Sequence, residues 1–201
     1  MAPKLKVVVA STRPRRLGVP IGAWAADAAY STAASTSRWS TWPGLGLPLL
    51  DGPNLPRDAQ YINEHTRRWS AKVDEAAPFV IVTPDYNHGP PASLVNALSF
   101  LHHEWHYKPV GFVSYGGVSA GTRSVEIVKQ IVTTLKMMPI PEAVSIPFVF
   151  RLVEDSHFRP EPELEHAATA MLDELRRWVD ALHDLRTAGN AAMKSMAVGR
   201  T

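Results

Sequence analysis

The chain has 201 residues, 45% of them hydrophobic and 20% charged, with a formal net charge of +2. That length suits one α/β domain with a sizeable core, and so mild a charge gives no reason to expect nucleic acid as a partner. The absence of cysteine excludes disulfides, thiolate metal sites and cysteine nucleophiles. No apolar run reaches membrane-spanning length and no signal-peptide architecture opens the chain, so no membrane partner is expected and the location is read as cytoplasmic.

Leu5 to Ala10 is the first of three short runs rich in Val, Ile and Phe; Phe79 to Thr83 and Val110 to Tyr115 are the others. They lack clean alternation, as strands covered on both faces do. Directly after the first comes Ala10-Ser11-Thr12-Arg13-Pro14-Arg15-Arg16-Leu17-Gly18. Guanidinium forks bind phosphate oxygens bidentately and hydroxyls fill the remaining acceptor sites. A helix beginning near Gly18–Pro20 would add free N–H groups and the positive end of its dipole. A solvated basic turn is the plainer reading, but the position after a first strand favours a phosphate cradle.

The helical patterns follow in order: Ile21 to Tyr30 behind Pro20, Asp58 to Val73, Leu94 to Leu101, Val125 to Leu135, and a long one from Glu163 to Leu185. Two weaker strands read as sheet edges. Ser37 to Trp42 is polar, with Trp39 and Trp42 as packing residues, and Ala143 to Phe150 carries Pro147. A Gly/Pro-rich surface loop lies between Pro43 and Pro56, and the tail after Arg186 is expected to fray. Strands alternating with helices imply a parallel sheet with right-handed crossovers. Five strands with weak ones second and last fit the flavodoxin-like order 2-1-3-4-5, a three-layer α/β sandwich occupying 1–201 as a single domain.

In that order the loops after strands one, three and four meet at the carboxyl edge of the sheet. The second loop is Thr83-Pro84-Asp85-Tyr86-Asn87-His88-Gly89-Pro90-Pro91, with an aromatic ring, an amide and an imidazole. The third is Ser114-Tyr115-Gly116-Gly117-Val118-Ser119-Ala120-Gly121, whose paired glycines let a flat ligand approach the main chain. A phosphate cradle beside such loops suits a ligand with a phosphate tail and a planar polar head. FMN has that shape.

These motifs are similar to those of the flavodoxin-like NADPH-dependent FMN reductase family, which includes quinone, azo-dye and chromate reductases. The family's Gly-Ser-Thr-Arg-Pro-Gly-Arg opening corresponds to Ala10 to Arg16, and its Pro-Glu-Tyr-Asn-His loop to Pro84 to His88. Asn96-Ala97-Leu98, the run from Glu104-Trp105 through Lys108 to Gly117, and Glu142 to Phe148 also resemble it. The resemblance covers roughly Lys4 to Leu185. It implies that Ser11, Arg13 and Arg16 bind the FMN phosphate. It further implies that Pro84, Asp85, Tyr86, Asn87 and His88 line the ribityl chain and ring, and that Ser114, Tyr115, Gly116 and Gly117 contact the ring's polar edge. Ala10 and Arg15 replace family glycines, Asp85 a Glu, Val95 a Lys and Ser99 an Asp.

The resemblance implies NADPH or NADH as cosubstrate, a small-molecule electron acceptor such as a flavin or quinone, and a homodimer or homotetramer. Because the cofactor carries the redox chemistry, no dedicated catalytic side chain is expected, and one site would serve both substrates in a ping-pong sequence. His88 or Tyr86 is a conceivable proton donor, though a plain loop role suits His88 better. A non-enzymatic FMN carrier or redox sensor would keep the cofactor and lack a nicotinamide pocket. Gly117-Val118-Ser119-Ala120-Gly121 matches the nucleophile elbow of serine hydrolases, with Asp155 and His157 or Asp180 and His183 as nominal partners for Ser119. That reading leaves the arginine loop without a use. His102, His103 and His106 are read as surface or subunit-contact residues rather than metal ligands, the pattern His103-Glu104-Trp105-His106 being one residue short of zinc-protease spacing.

Overall fold

Side chains of alternate sign of pleat decide how the apolar runs are buried. In the computed structural model, which describes residues 4–31, 40–41 and 46–189, the first run is β1 (Lys4–Val9), followed by α1 (Gly18–Ser31) and β2 (Ser40–Thr41). Then come α2 (Glu64–Asp74), β3 (Ala76–Pro84), α3 (Ala92–Ser99), β4 (Pro109–Tyr115), α4 (Thr122–Thr134) and β5 (Met138–Ile146). A small antiparallel pair, β6 (Val153–Glu154) and β7 (His157–Phe158), precedes α5 (Pro162–Ala181). The four long strands are parallel neighbours, and β2 pairs with β1 through Val8 and Val9, so the hydrogen-bonded order is β2-β1-β3-β4-β5.

Helices cover both faces. Val7, Val9, Val80, Val82 and Val113 point to the side packed by α1 and α5, against Ile21, Ala25, Met171 and Leu175. Val8, Phe79, Ile81 and Phe112 point the other way, against Trp69, Leu94, Leu98 and Val128 of α2, α3 and α4. Every residue of β3 and β4 is buried, which is why neither strand shows alternating polarity.

The Glu104-Trp105 run proves to be internal architecture. Buried Glu104 accepts from Ser70 Oγ at 2.6 Å and Tyr61 Oη at 3.1 Å, fastening α2 to the turn before β4. Trp69 and Trp105 donate their indole N–H groups to the Ala97 and Leu98 carbonyls of α3. Lys108 reaches the terminal carbonyls of α2, at 2.6 Å from Val73 O and 3.3 Å from Asp74 O, satisfying groups a helix end leaves open. Its burial pushes the ammonium down to about 7.

Several sequence expectations are corrected. The helix read from Asp58 begins at Glu64, because Pro56–Asp58 is a single 3-10 turn closed by Ala59 at φ 53°, and Ile62 stays exposed. The last strand spans Met138–Ile146, not 143–150; Pro147 ends it and Phe148 turns away at φ 45°. The sequence pattern does not predict the β6–β7 pair, whose strands are two residues each. After α5 helix resumes over 183–189, where the Arg186 N–H bonds Leu182 O at 3.0 Å. The rest of the expected tail, and most of the Ser37 to Trp42 segment including both tryptophans, lie outside the described residues.

Candidate functional site

The carboxyl ends of β1, β3 and β4 each release a loop at the same edge of the sheet. The first loop is held at its root: Ala10 N–H donates to Val82 O at 2.9 Å, and Ser93 Oγ of α3 donates to Ala10 O at 2.7 Å. Ala10 is fully buried and lies outside the positive-φ residues, so losing a glycine there costs no strain. Arg15 is different. It is exposed and sits at φ 55°, a left-handed conformation suited to glycine.

Ser11 is fully buried, and its Oγ lies 2.6 Å from Tyr86 Oη. The Arg13 N–H reaches the same Oγ at 3.4 Å, while the Arg13 guanidinium stands 5.8 Å from the centre of the Tyr86 ring. Arg16 donates from Nη1 to Arg13 O at 3.3 Å. Its Nε is buried and has no hydrogen-bond partner among the described residues, a cationic donor left open. Tyr115 completes the group. Its phenol touches Gly18, where an added Cβ would fall 2.7 Å from the hydroxyl and 2.8 Å from Val9 Cγ1. Burial first, then the neighbouring Tyr86, raises the Tyr115 phenol above its ordinary range, against the pull of Ser11, the Gly18 backbone and Arg16. Three hydroxyls and two guanidiniums therefore meet where α1 begins.

The second loop turns at its tip. Asn87 and His88 have φ 52° and 67°, closed by Tyr86 N–H to Gly89 O at 2.8 Å and Gly89 N–H to Tyr86 O at 3.1 Å. Both tip side chains are exposed, whereas Pro84 is buried and Asp85 half-buried. In the third loop Gly117 has open space beyond its Cα, and Ser114 Oγ, three residues earlier in β4, is buried with no partner among the described residues. Gly121, at φ 79°, packs so closely on Tyr115 that a Cβ would lie 2.8 Å from its backbone N and O. Only glycine fits there. Tyr115 thus turns to the first loop, leaving Gly116 and Gly117 at the mouth.

Sequence reasoning missed the neighbours of that mouth. Phe148 N–H donates to Gly117 O at 3.0 Å and Val149 N–H to Gly116 O at 3.1 Å, which seats the 148–151 turn on the glycines. Phe148 and Phe150 are exposed, their ring centroids 6.3 Å apart, with Arg151 over both. Reading 143–150 as one strand hid them. Ser119 donates to Asp85 Oδ2 at 3.0 Å, while His157 bonds Asp155 O inside its own hairpin at 2.8 Å. No imidazole is delivered to Ser119 by these contacts.

An orphaned cationic donor, paired hydroxyls and a helix start fit a phosphate, and a glycine mouth fits a planar head. The family model described as NADPH-dependent FMN reductase matches residues 3–151. An NAD(P)H-dependent FMN reductase of Schizosaccharomyces pombe is 37% identical over 150 residues, covering 70% of this chain and 71% of that protein. One from Nectria sp. is 25% identical over 193 residues, covering 90% of this chain and 96% of that protein. Among solved structures, FerB, a flavoenzyme NAD(P)H:(acceptor) oxidoreductase from Paracoccus denitrificans, superposes with a TM-score of 0.69 at 16% identity, covering 89% of this chain and 98% of its own. An apo NADH:FMN oxidoreductase superposes at 0.61 with 15% identity, covering 87% and 88%. These likenesses show a shared α/β flavodoxin-like fold with a parallel sheet.

Proposed function

The chain belongs to the NADPH-dependent FMN reductase family, an oxidoreductase with FMN as cofactor and NAD(P)H as cosubstrate, and from that premise we propose which of its residues hold the cofactor and how it is used. Ser11, Arg13 and Arg16 bind the phosphate. Pro84 to His88 line the chain and ring, with Asn87 and His88 contributing backbone more than side chain. Ser114, Gly116 and Gly117 face the ring's polar edge, and Tyr115 orders the cradle through Ser11. The observation that carries this assignment is the buried Nε of Arg16, without a partner among the described residues, on the same loop as Ser11, whose hydroxyl pairs with Tyr86.

FMN, when bound, accepts a hydride and passes electrons on, so the protein's work is to bind, orient and leave one face accessible. In this reading Arg13 and Arg16 neutralise the phosphate, the glycine mouth leaves room over the ring, and Phe148, Phe150 and Val118 offer exposed apolar surface beside it. NAD(P)H and a flavin, quinone or similar small acceptor occupy that space alternately, a ping-pong sequence. The proposal extends to 1–201 as one domain with a five-stranded sheet of order 2-1-3-4-5, and to a cytoplasmic homodimer or homotetramer with its contact near Phe100 to Tyr107. Among the described residues no helix is long and apolar enough to cross a membrane.

The test is the visible spectrum of the purified protein supplied with FMN, before and after NADPH. Quenched flavin fluorescence, and bleaching on reduction followed by recovery on adding quinone, support the reading. Bleaching without turnover would make the chain a carrier. Neither quenching nor NADPH oxidation would overturn it.

A further inference from the structure

We propose that His102, His103 and His106 form a binding site for a borderline d-block cation, with Zn²⁺ as its best-fitting occupant, at the edge of the sheet opposite the cofactor cradle. The three residues bracket the 3-10 turn His103–Trp105, between the end of α3 and the start of β4. The cradle loops leave the carboxyl ends of the strands, so this turn at the amino end of β4 is a separate place. One imidazole nitrogen from each residue lies within 4.8 Å of the other two. The ring centroids form a near-equilateral triangle of 5.0, 4.9 and 5.1 Å. Tetrahedral Zn–N bonds of about 2.0–2.1 Å place ligand nitrogens roughly 3.3 Å apart, a closure that small ring rotations supply.

The surroundings suit ligation rather than a chance cluster. His103 Nε2 lies 2.6 Å from Arg57 O, and a carbonyl there requires the proton on Nε2, which leaves Nδ1 with its lone pair available. His106 Nε2 is buried and has no hydrogen-bond partner among the described residues. All three rings are half-buried, so a metal would find walls and still have an entry path. The packed Glu104 and Trp105 fix the turn between the ligands, because Glu104 is held by Ser70 and Tyr61 and Trp105 by Leu98 O. A donor set made only of imidazole nitrogens disfavours hard cations such as Mg²⁺, which prefer oxygen, and selects metals that bond strongly to imidazole. Three ligands leave a fourth position for water or for a donor from a second copy.

Equilibrium dialysis of tag-free, FMN-loaded protein against Zn²⁺, with metal analysis, tests the site directly. One equivalent per chain is expected, with a Zn²⁺-dependent rise in Tm that Mg²⁺ does not reproduce. His102→Gln and His106→Gln should each weaken binding at least roughly tenfold while the bound-flavin spectrum stays as in wild type. Co²⁺ should add visible absorption beyond the flavin bands in wild type alone. Less than stoichiometric Zn²⁺, or full binding retained in both variants, would overturn the proposal. Should a variant fold poorly, the wild-type stoichiometry and the Zn²⁺-against-Mg²⁺ shift still decide it. A normal flavin spectrum without metal binding would sink this site and leave the FMN reading intact.

Discussion

Ser119 Oγ donates to Asp85 Oδ2 across 3.0 Å, tying the glycine loop after β4 to the tyrosine loop after β3. The serine of a Gly-x-Ser-x-Gly pentapeptide is thus committed to a carboxylate as a strut between two loops. Ser119→Ala should keep NADPH-driven flavin reduction within a few-fold of wild type and lower stability by about 1 kcal/mol, the usual worth of one such bond. Urea unfolding and steady-state assay measure both. A serine-reactive phosphonate should leave Ser119 unlabelled, and stoichiometric labelling would revive the hydrolase reading.

Arg13 presents its guanidinium above the Tyr86 ring, 5.8 Å from its centre, in the cradle where Ser11 is buried. Removing a charge-assisted contact to phosphate costs about 1.5–3 kcal/mol, so Arg13→Ala should weaken FMN at least roughly tenfold. Fluorescence titration gives the Kd. Riboflavin, which has no phosphate, should bind the variant and the wild type alike. FMN affinity equal to wild type would remove Arg13 from the site.

Gly18 is needed for space. An added methyl group meets Tyr115 Oη at 2.7 Å and Val9 Cγ1 at 2.8 Å, and Val9 belongs to a central strand with nowhere to retreat. Gly18→Ala should destabilise the protein by about 1–3 kcal/mol and weaken FMN as Tyr115 is displaced from Ser11. Pairing it with Tyr115→Phe, which removes the hydroxyl being struck, should recover part of the lost stability. No recovery would mean Val9 is the dominant clash.

Lys108 makes stability depend on pH in a direction that can be worked out. Its pKa, ordinarily 10.5, is pushed down to about 7 by burial, so in that interval the unfolded chain binds more protons than the folded one. Stability therefore rises with pH between those two values, and the cost of the buried charge is fully present below the lower one. Relative to Lys108→Met, which lacks the titrating group, wild type should gain stability steadily from about pH 7 towards pH 10 in denaturant midpoints. A difference independent of pH would show that the ammonium is better solvated than its burial implies.

The legibility of the fold followed the physics of burial. Strands β3 and β4, covered on both faces, left unbroken apolar runs between turn signals, and their limits were read to within a few residues. The residue pattern starts α2 too early because Ile62 carries helical spacing by coincidence, while the Ala59 backbone conformation that ends the preceding turn leaves no mark in residue type. The residue pattern starts the last strand too late because its opening, Met138 to Pro141, holds two prolines, which an edge strand tolerates but which do not read as strand.

Residue order by itself determined that an arginine- and hydroxyl-bearing loop follows a buried first strand, and that glycine- and tyrosine-bearing loops follow two others. Such information is local, carried by spacing and side-chain chemistry. Only the folded arrangement decided that Tyr115 reaches back to Gly18, that Phe148 and Phe150 stand beside Gly117, and that Glu104 and Lys108 serve packing. Those relationships join residues far apart in the chain, and their energies exist only once the sheet has brought the elements together.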